Sequence, residues 1–406
     1  PPPPPPPPPP FFFHADAGIL DSVASRGLGD VYKRQVMGGR SSKIIKKFNG
    51  KKKILAISAL LKWFSANGRS LPWRTGYERR DIYHVWLSEV MLQQTRVETV
   101  IPYYTDFIKR WKNFTSLANA NMKEVLKAWQ GMGYYRRAHN LHRCAIEVSK
   151  KFNGKLPSRR DDLLKLPGIG EYTASAICSI GYGQPILAVD GNVKRVLARL
   201  FFLYSFHKDQ DSLLREIANN FLSNKKSGEF QEAMMDLGSM ICKPKNPKCD
   251  ICPLRGYCLS FKNKQFNLRN HFVRKKDLPR RNGVVFWCLR KDGSVFVSKR
   301  KSDGLLGGFM EFPSVGWDLS HAPKRLSNKD LFQSAPFESQ WLELPDKIHH
   351  TFSHFHLELK IWKGRINPKN VDLSKRNGIW IKPVQFKRYP FPTLMKKIAQ
   401  YVQKIN

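Results

Sequence analysis

Four cysteines lie close together near the middle of this chain of 406 residues. The gaps between them are six, two and five residues, and the four are Cys242, Cys249, Cys252 and Cys258. Four thiolates in one loop can enclose a single metal centre, and both zinc and an iron–sulfur cluster accept four cysteines. A disulfide framework is less favoured, because the chain is large and has no clear secretory signal. The sequence therefore predicts a metal centre in a reducing compartment, and the spacing alone leaves zinc and iron–sulfur open.

The charge of the chain indicates a polyanionic partner. Lysine and arginine number 70 against 32 acidic residues, which gives a formal net charge of +38. Hydrophobic residues make up 41% of the chain, so it can build cores and is not wholly disordered. A foldable chain this basic points first to nucleic acid. No apolar run reaches the length of about 18 residues that a transmembrane helix needs, and an anionic membrane surface is the weaker alternative.

The first 36 residues differ from the rest of the chain. They begin with ten consecutive prolines, which form an extended polyproline segment without a core. A proline-rich ligand for a partner domain is the functional alternative. We expect residues 1–36 to be a non-native or disordered leader, with Met37 as the start of the native chain.

After this leader the hydrophobic pattern changes once. Apolar residues recur mostly at helical spacing, which predicts a helical domain over residues 37–262. Residues 263–281 are polar and basic and are expected to form a linker. Beyond them, strand-like segments around an Asp-Gly turn predict a smaller α+β domain over residues 282–406.

A tight turn between two helical stretches is a candidate DNA contact. Residues 166–170 are Leu-Pro-Gly-Ile-Gly, in which Gly168 and Gly170 permit a tight hairpin and close approach of the backbone. The next helix begins with free N–H groups, which can bind a phosphate. A helix-hairpin-helix over about residues 160–180 is therefore expected, although any tight corner between helices can share this pattern.

Two carboxyl groups are candidate acids. Glu89 lies in an apolar helical run, at a spacing that places it on or beside the apolar face. Burial there raises a carboxyl pKa, but from spacing alone a glutamate paired with a nearby base is the more ordinary interpretation. Asp190 precedes Gly-Asn-Val-Lys-Arg, and it is either a helix N-cap or a carboxylate that stabilises a cation.

These segments occur in one order with several others. Leu-Pro-Trp-Arg begins at residue 71, Gly-Met-Gly-Tyr-Tyr at residue 131 and Ala-Met-Met-Asp-Leu-Gly at residue 233. In this combination the chain closely resembles the adenine DNA glycosylase family of the helix-hairpin-helix superfamily, over roughly residues 55–400. The resemblance implies an all-α helix-hairpin-helix glycosylase domain with an iron–sulfur cluster loop, followed by an α+β Nudix-like domain. It also implies base excision repair, in which adenine mispaired with 8-oxoguanine or guanine is removed from duplex DNA.

The resemblance implies roles for the residues at matching positions. Glu89 would protonate N7 of adenine, and Asp190 would stabilise the oxocarbenium-like sugar, after the adenine has been flipped out of the duplex. Trp73, Arg74 and Glu232 would line the adenine pocket. The residues that match DNA or lesion contacts in this domain are Gln94, Tyr134, Gly168, Gly170, Tyr172 and Lys194.

Tyr172 stands where related bifunctional glycosylases carry a lysine. That lysine attacks the sugar as a Schiff-base nucleophile, which a tyrosine cannot do. The resemblance thus predicts a monofunctional enzyme that leaves an abasic site. Lys194 could act as an adventitious nucleophile, but a phosphate contact is the preferred interpretation.

The cysteine spacing matches the ligands of the same family. The resemblance therefore favours a [4Fe–4S] cluster over zinc as the group held by Cys242, Cys249, Cys252 and Cys258.

The C-terminal segment resembles the Nudix-like domain with which such enzymes recognise 8-oxoguanine. Residues 304–313 fit this domain, except that Leu306 stands where a tryptophan is usual. No hydrolytic Nudix box follows, so a nucleotide pyrophosphatase is not expected. Phe352, Ser353 and His354 match the residues that would contact the 8-oxoguanine. A metal bound by the neighbouring histidines is a weaker interpretation, because no acid completes a convincing set.

Three other functions are alternatives. A bifunctional pyrimidine-lesion glycosylase with lyase activity is disfavoured by Tyr172 and by the C-terminal domain. A non-catalytic iron–sulfur DNA-binding protein would need Glu89 or Asp190 to be replaced. A Nudix-type hydrolase is disfavoured because the chain lacks the hydrolytic Nudix box.

The expected partner is double-stranded DNA with A:8-oxoguanine or A:G mispairs. The protein is expected to bind it as a monomer and not to associate with a membrane. The expected location is intracellular: nucleoid or cytoplasm in a bacterium, nucleus or mitochondrion in a eukaryote.

Overall fold

The computed structural model describes residues 48, 50–74, 80–203, 210–221, 226–265, 277–301, 304–317, 333–367 and 378–405. The expected leader, residues 1–36, lies outside the described residues, as does much of the expected linker. Helices form the first part of the chain and a mixed sheet forms the second, as predicted. None of the described helices has the length and apolar character needed to cross a membrane.

The first part consists of helices joined by short turns. Their bounds are α1 Gly50–Asn67, α2 Ile82–Leu92, α3 Val97–Arg110, α4 Phe114–Ala118, α5 Met122–Ala128, α6 Arg136–Lys151, α7 Arg160–Leu163, α8 Glu171–Ala176, α9 Gly191–Leu200, α10 Gln210–Phe221, α11 Ser227–Asp236 and α12 Leu259–Lys262. Asp81 caps α2 by accepting the backbone N–H of Tyr83, as aspartate does at many helix starts. Short π turns extend α8 to Gly181 and α11 to Ile241.

Two hydrophobic cores stabilise the helical part. The first packs α2 to α6 around the fully buried side chains of Trp86, Phe107 and Trp129. The second packs α1, α9, α10 and α11 around residues such as Leu60 and Leu197. The acidic residues predicted from the sequence lie where α2 of the first core faces α9 and α11 of the second.

The second part is built on a mixed sheet. Its described strands are β1 Arg280–Leu289, β2 Val295–Lys299, β3 Met310–Glu311, β4 Ser314–Val315, β5 Trp341–Glu343, β6 Ile348–Thr351, β7 His356–Arg365 and β8 Gly378–Ile381. The central pair, β1 and β7, is parallel over its whole length, from Arg280 opposite His356 to Leu289 opposite Arg365. The other pairs are antiparallel, and the order along the main path is β3-β2-β1-β7-β5. Helix α13, Thr393–Ile405, buries Met395 and Ile398 in the same core as one sheet face.

The two parts pack against each other through one continuous core. The ring of Tyr135 lies 4.2 Å, centroid to centroid, from that of Phe309. His139 on α6 contacts the carbonyl of Gly307 through Nε2 at 3.0 Å. Leu306, in the same loop as Gly307 and Phe309, is buried in this shared core.

Candidate active site

One cavity of about 550 Å³ brings together the two predicted catalytic acids and the three predicted adenine-pocket residues. Elements from both helical cores form its walls. The predicted residues that line it are Trp73, Arg74, Glu89, Gln94, Tyr172, Asp190 and Glu232. The others lie outside this lining and are Tyr134, Gly168, Gly170, Lys194, Phe352, Ser353 and His354.

Glu89 is a buried acid on α2 with 5% of its surface exposed. Burial raises the pKa of its carboxyl from 4.5 to about 7, and the negative charges of Asp190 and Glu232 act in the same direction. A hydrogen bond with Tyr172 and the charge of Arg74 oppose the rise. The carboxyl therefore retains its proton in a large fraction of molecules at neutral pH, as a general acid requires.

Asp190 is a helix N-cap, which is one of the two roles that its sequence context allowed. It caps α9, where its Oδ1 accepts the backbone N–H of Val193 at 2.7 Å. Its Oδ2 accepts a hydrogen bond from Asn192 Nδ2 at 2.9 Å. These two donors fix the orientation of the carboxyl group, which also lines the cavity.

A buried chain of alternating charges supports another wall of the cavity. Arg74 contacts Glu232 through Nε at 3.1 Å and Asp236 through Nη1 at 2.8 Å. Arg69 donates from Nε to Asp236 at 2.7 Å, and Arg80 contacts Glu232 at 2.5 Å. Burial raises the pKa of Glu232, whereas in Asp236 the hydrogen bonds from Arg74 and Arg69 outweigh burial and lower the pKa. Each arginine in this chain is held by an acid, so its orientation is well defined.

Three members of this chain, Asp236, Arg69 and Arg80, were not identified as site residues from the sequence. For Asp236 a signal was available, because it follows Glu232 by four residues and therefore lies on the same face of α11. Both acids are fully or almost fully buried, which is unusual unless they are paired. Nothing in the local sequence distinguishes the two arginines.

Apolar side chains complete the cavity. Trp73 is 6% exposed and packs edge-on against Tyr104, with a centroid distance of 5.2 Å. Val85, Ile180 and Met235 also line the cavity. The cavity wall thus combines apolar side chains with many polar and charged ones.

The hairpin between α7 and α8 adopts the expected tight turn. Gly168 has φ +78°, and a Cβ there would lie 2.8 Å from Cβ of Asn140, so both backbone and packing require glycine. Gly170 has an ordinary φ of −96°, and a Cβ there would meet nothing within 4 Å. Only the first glycine is required by the turn itself, and the second leaves an open surface at the start of α8.

Two predicted DNA-contacting residues have strained backbones. Gln94 follows α2 with φ 55°, and Tyr134 precedes α6 with φ 48°. Non-glycine residues in the left-handed region are uncommon and are often found at functional sites. Tyr134 is 46% exposed, so its ring is available at the surface.

The four clustered cysteines line one small enclosed cavity beside α9. Among the described residues, no three histidine, cysteine or acidic side chains are arranged around a single metal ion. A cluster with several irons distributes its four thiolate ligands over a larger volume than one zinc ion does. Burial raises the pKa of Cys252 to about 12, so thiolates here need the positive charge that a metal centre supplies. Four cysteine thiols around one cavity are a donor set that an iron–sulfur cluster can use.

The cysteine loop is hydrogen-bonded to the helix that carries Asp190. Arg195 donates from Nε to the carbonyl of Cys242 at 2.7 Å and from Nη2 to Asn192 Oδ1 at 2.8 Å. Asn192 in turn donates to Asp190. Arg199 contacts Cys242 Sγ at 3.3 Å. The loop thus supports the start of α9.

Phe352, Ser353 and His354 form the tip of the β6–β7 hairpin. The ring of Phe352 stacks on Trp317 at 6.1 Å, while Ser353 and His354 are exposed. The tip is closed by the backbone hydrogen bond from Phe352 N–H to the carbonyl of Phe355 at 2.9 Å. The three residues therefore lie together at the tip of one hydrogen-bonded hairpin.

Comparisons with known families agree with this arrangement. The family model of the HhH-GPD superfamily of base excision DNA repair proteins matches residues 87–221. The iron–sulfur binding domain of endonuclease III matches residues 242–258, and the NUDIX domain matches residues 284–401. The predicted order of helical glycosylase domain, cysteine loop and Nudix-like domain is confirmed, and the cofactor of the cysteine loop is an iron–sulfur cluster.

Curated relatives match over most of the chain. The adenine DNA glycosylase of Buchnera aphidicola subsp. Baizongia pistaciae is 32% identical over 352 residues, which cover 86% of this chain and 96% of that protein. The enzyme of the Schizaphis graminum subspecies is 34% identical and covers 79% of this chain and 91% of its own. The human enzyme is 31% identical and covers 85% and 73%. The chain therefore belongs to the adenine DNA glycosylase family, the DNA-binding N-glycosylases that excise adenine in base excision repair.

Proposed function

We propose that this glycosylase removes adenine that is mispaired with 8-oxoguanine, or with guanine, in duplex DNA. The observation that carries the proposal is Glu89, a buried carboxyl with a pKa of about 7 that shares one cavity with Asp190. An adenine flipped into this cavity would receive the proton of Glu89 at N7, which makes the base a neutral leaving group.

Asp190 acts on the sugar in this scheme. As the N-glycosidic bond breaks, its electrons leave with the protonated adenine and positive charge develops on the sugar. The carboxylate of Asp190, held by Val193 and Asn192, stabilises that charge. Water then adds to C1′ and passes its extra proton to the ionised Glu89, which restores the acid for the next cycle.

The adenine pocket is assigned to Trp73, Arg74 and Glu232. All three line the cavity, and Arg74 is held in place by Glu232 and Asp236. An arginine fixed by two carboxylates and a buried tryptophan can orient a flat base with little loss of side-chain entropy.

The proposed enzyme is monofunctional and leaves an abasic site. Tyr172 is half-buried beside Glu89, and none of the described residues that line the cavity is a lysine. Lys194 lies on the first turn of α9 but is outside that lining, which supports a phosphate contact for it. An amine nucleophile for Schiff-base chemistry is therefore absent from the described cavity wall.

Contacts with the duplex and with the opposite base are assigned to three surface elements. Phe352, Ser353 and His354 form a hairpin tip, with Ser353 and His354 exposed, that suits contact with 8-oxoguanine. Gln94 and Tyr134 are strained, exposed positions that would wedge into the duplex. Gly168 and Gly170 would let a phosphate approach the start of α8.

We also propose how the chain is divided into domains. It comprises a leader over residues 1–36, a catalytic domain over residues 37–262, a linker over residues 263–281 and a recognition domain over residues 282–406. The cluster is assigned as [4Fe–4S], and the enzyme as a monomer that acts inside the cell, wherever the DNA is held.

The test uses end-labelled duplexes that carry one A:8-oxoguanine, A:G or A:T pair. Products are compared with and without hot alkali for the wild type, for Glu89→Gln and for Glu147→Gln, a control at a surface glutamate paired with Lys151. We expect strand breaks only after alkali and fastest opposite 8-oxoguanine. Glu89→Gln should slow single-turnover cleavage by roughly 10²–10⁴-fold, the usual contribution of a general acid, and Glu147→Gln should not.

Two results would contradict the proposal. Strand breaks without alkali would show lyase activity and a nucleophile other than those described. Equal cleavage opposite 8-oxoguanine, guanine and thymine would remove the proposed selectivity, while leaving adenine excision in place.

A further inference from the structure

Arg137 is a buried cation with 8% of its surface exposed, and the proposed catalysis does not use it. It lies in the first turn of α6, between the end of the catalytic helix α2 and the loop that carries Tyr134. Its guanidinium group contacts both of these elements, so that one side chain links two parts of the site.

On one side, Arg137 closes the end of α2. Its Nη1 donates to the carbonyls of Val90 at 3.1 Å and Met91 at 2.7 Å. Helix α2 ends at Leu92, so these carbonyls belong to the last turn, where a helix lacks backbone partners of its own. Glu89 directly precedes Val90, and the guanidinium group therefore positions the turn that carries the proposed acid.

On the other side, Arg137 holds the two strained segments. Its Nη2 donates to the carbonyl of Gly133 at 3.3 Å and to Thr95 Oγ1 at 2.9 Å. The guanidinium carbon lies 5.6 Å from the ring centroid of Tyr134 and 5.2 Å from that of Trp129. Gly133 immediately precedes Tyr134, and Thr95 immediately follows Gln94, so both strained residues are adjacent to an Arg137 contact.

The charge of Arg137 is balanced in an unusual way. Among the described residues no carboxylate forms an ion pair with it, and carbonyl oxygens, a hydroxyl and two aromatic rings surround it instead. Burial lowers its pKa to about 10, which still leaves it charged at neutral pH. A buried cation without an acid costs stability that an apolar side chain of similar size would not cost. Packing alone is therefore a poor explanation for this residue.

We propose that Arg137 is a positioning residue that couples entry of Tyr134 into the duplex to the placement of Glu89. The inference rests on the proposed function in two respects, namely the role of Tyr134 as a wedge and the role of Glu89 as the acid. When the duplex pushes on Tyr134, the Gly133 carbonyl moves with it and the planar guanidinium group transmits the displacement to the last turn of α2. Cleavage thus becomes fast only when the wedge is seated.

The test is a double-mutant cycle in the full-length protein with its cluster. Tyr134→Ala is combined with Arg137→Lys, which keeps the charge but loses the planar fork, and separately with Thr95→Val, which removes one acceptor at constant shape. The control is Thr105→Val, which removes an exposed hydroxyl on α3 that bonds only to the carbonyl of Ile101. Each protein is assayed for single-turnover cleavage of A:8-oxoguanine and for affinity to a duplex with an uncleavable adenine analogue.

We expect Tyr134→Ala to slow cleavage strongly in the wild-type and Thr105→Val backgrounds. The same substitution should slow cleavage at least about fivefold less in the Arg137→Lys and Thr95→Val backgrounds, which is the non-additivity typical of residues that act together. If Arg137 had only a structural role, Arg137→Lys and Thr95→Val would lower the cleavage rate. The factor by which Tyr134→Ala slows cleavage would then be the same in these backgrounds as in the wild type.

The outcomes separate the inference from the proposed function. An equal factor for Tyr134→Ala in all four backgrounds would overturn the coupling and leave the wedge assignment standing. No effect of Tyr134→Ala on cleavage or affinity in the wild type would refute the wedge and the coupling with it. If Arg137→Lys melts too low to assay, the Thr95→Val cycle decides by the same criterion.

Discussion

At the residue scale, the proposed chemistry depends on one carboxyl group, Glu89, whose surroundings raise its pKa toward neutrality. The pKa of Glu89 rises to about 7 chiefly through burial. Since the folded pKa exceeds the ordinary value of 4.5, the group stabilises the fold most below that value. This contribution is lost as the pH rises through about 7, where the buried carboxyl ionises. The same ionisation removes the proton that the proposed mechanism needs, so cleavage should fall above this pH.

Replacement of Tyr172 should shift this pH dependence. The hydrogen bond from Tyr172 favours the ionised form of Glu89 and therefore lowers its pKa. Tyr172→Phe should raise that pKa, so the alkaline limb of single-turnover cleavage moves to higher pH. The control is Tyr182→Phe, whose hydroxyl bonds to the carbonyl of Leu156 and should leave the limb in place. A limb that moves to lower pH in Tyr172→Phe would contradict the assignment of Glu89 as the titrating acid.

At the scale of elements, the two glycines of the hairpin between α7 and α8 serve different purposes: one is required for folding and the other is assigned to DNA binding. Gly168 is required for folding, because its φ of +78° and its contact with Asn140 both exclude a side chain. Gly170 is compatible with any residue in the isolated protein, because its φ is −96° and the space beside it is open. Gln93 joins this hairpin region to α2 by donating to Thr173 Oγ1 at 3.1 Å. The proposed phosphate contact and the catalytic helix are therefore linked through one side chain.

Alanine at the two glycines should have different effects, one on stability and the other on duplex binding. Gly168→Ala should lower the free energy of unfolding by about 1–2 kcal/mol or more, because the left-handed backbone is strained and the methyl group meets Asn140. Gly170→Ala should leave the melting temperature nearly unchanged but weaken duplex binding, since the methyl group enters the space assigned to a phosphate. Thermal denaturation and binding titrations at one fixed salt concentration measure the two effects. Wild-type affinity in Gly170→Ala would show that no phosphate comes close to this turn.

At the scale of the whole molecule, the two parts of the chain form one packed unit. The glycine-rich loop of the sheet part contacts α5 and α6 of the helical part. A Cβ on Gly308 would lie 3.1 Å from His139 Cε1 and 3.2 Å from Leu126 Cδ1. We expect this junction to position the β6–β7 hairpin relative to the helices that line the proposed active site. Selectivity for the opposite base should therefore depend on it.

A matched pair of substitutions tests this dependence. Gly308→Ala and Gly304→Ala both place a methyl group at positive φ, +77° and +110°, but only the first meets the helical part. Gly308→Ala should reduce the preference for A:8-oxoguanine over A:G by about fivefold, an effect of about 1 kcal/mol. Gly304→Ala should retain the wild-type preference. Rates measured on both duplexes decide, and an equal loss in the two variants would assign the effect to backbone strain rather than to the junction.

The sequence by itself determined the elements whose signature is local. The cysteine spacing, the hairpin glycines and the two-part hydrophobic pattern depend on residues close together in the chain, so they were visible without a structure. The resemblance of the ordered motifs then identified the family, which the comparisons confirm. Asp190 was expected to be either a helix cap or a carboxylate that stabilises a cation. Its place directly before the helix that begins at Gly191 already indicated the cap.

The tertiary structure decided the properties that depend on distance in space. Spacing alone favoured an ordinary paired role for Glu89, but its carboxyl is buried and lies among charges from Asp190 and Glu232, far along the chain. Asp236 and Arg137 gave weaker local signals, because their partners come from other helices. Burial and charge–charge interaction vary with separation in space rather than in sequence, so the proton affinity of the site and its internal connections emerge only when the helices are packed.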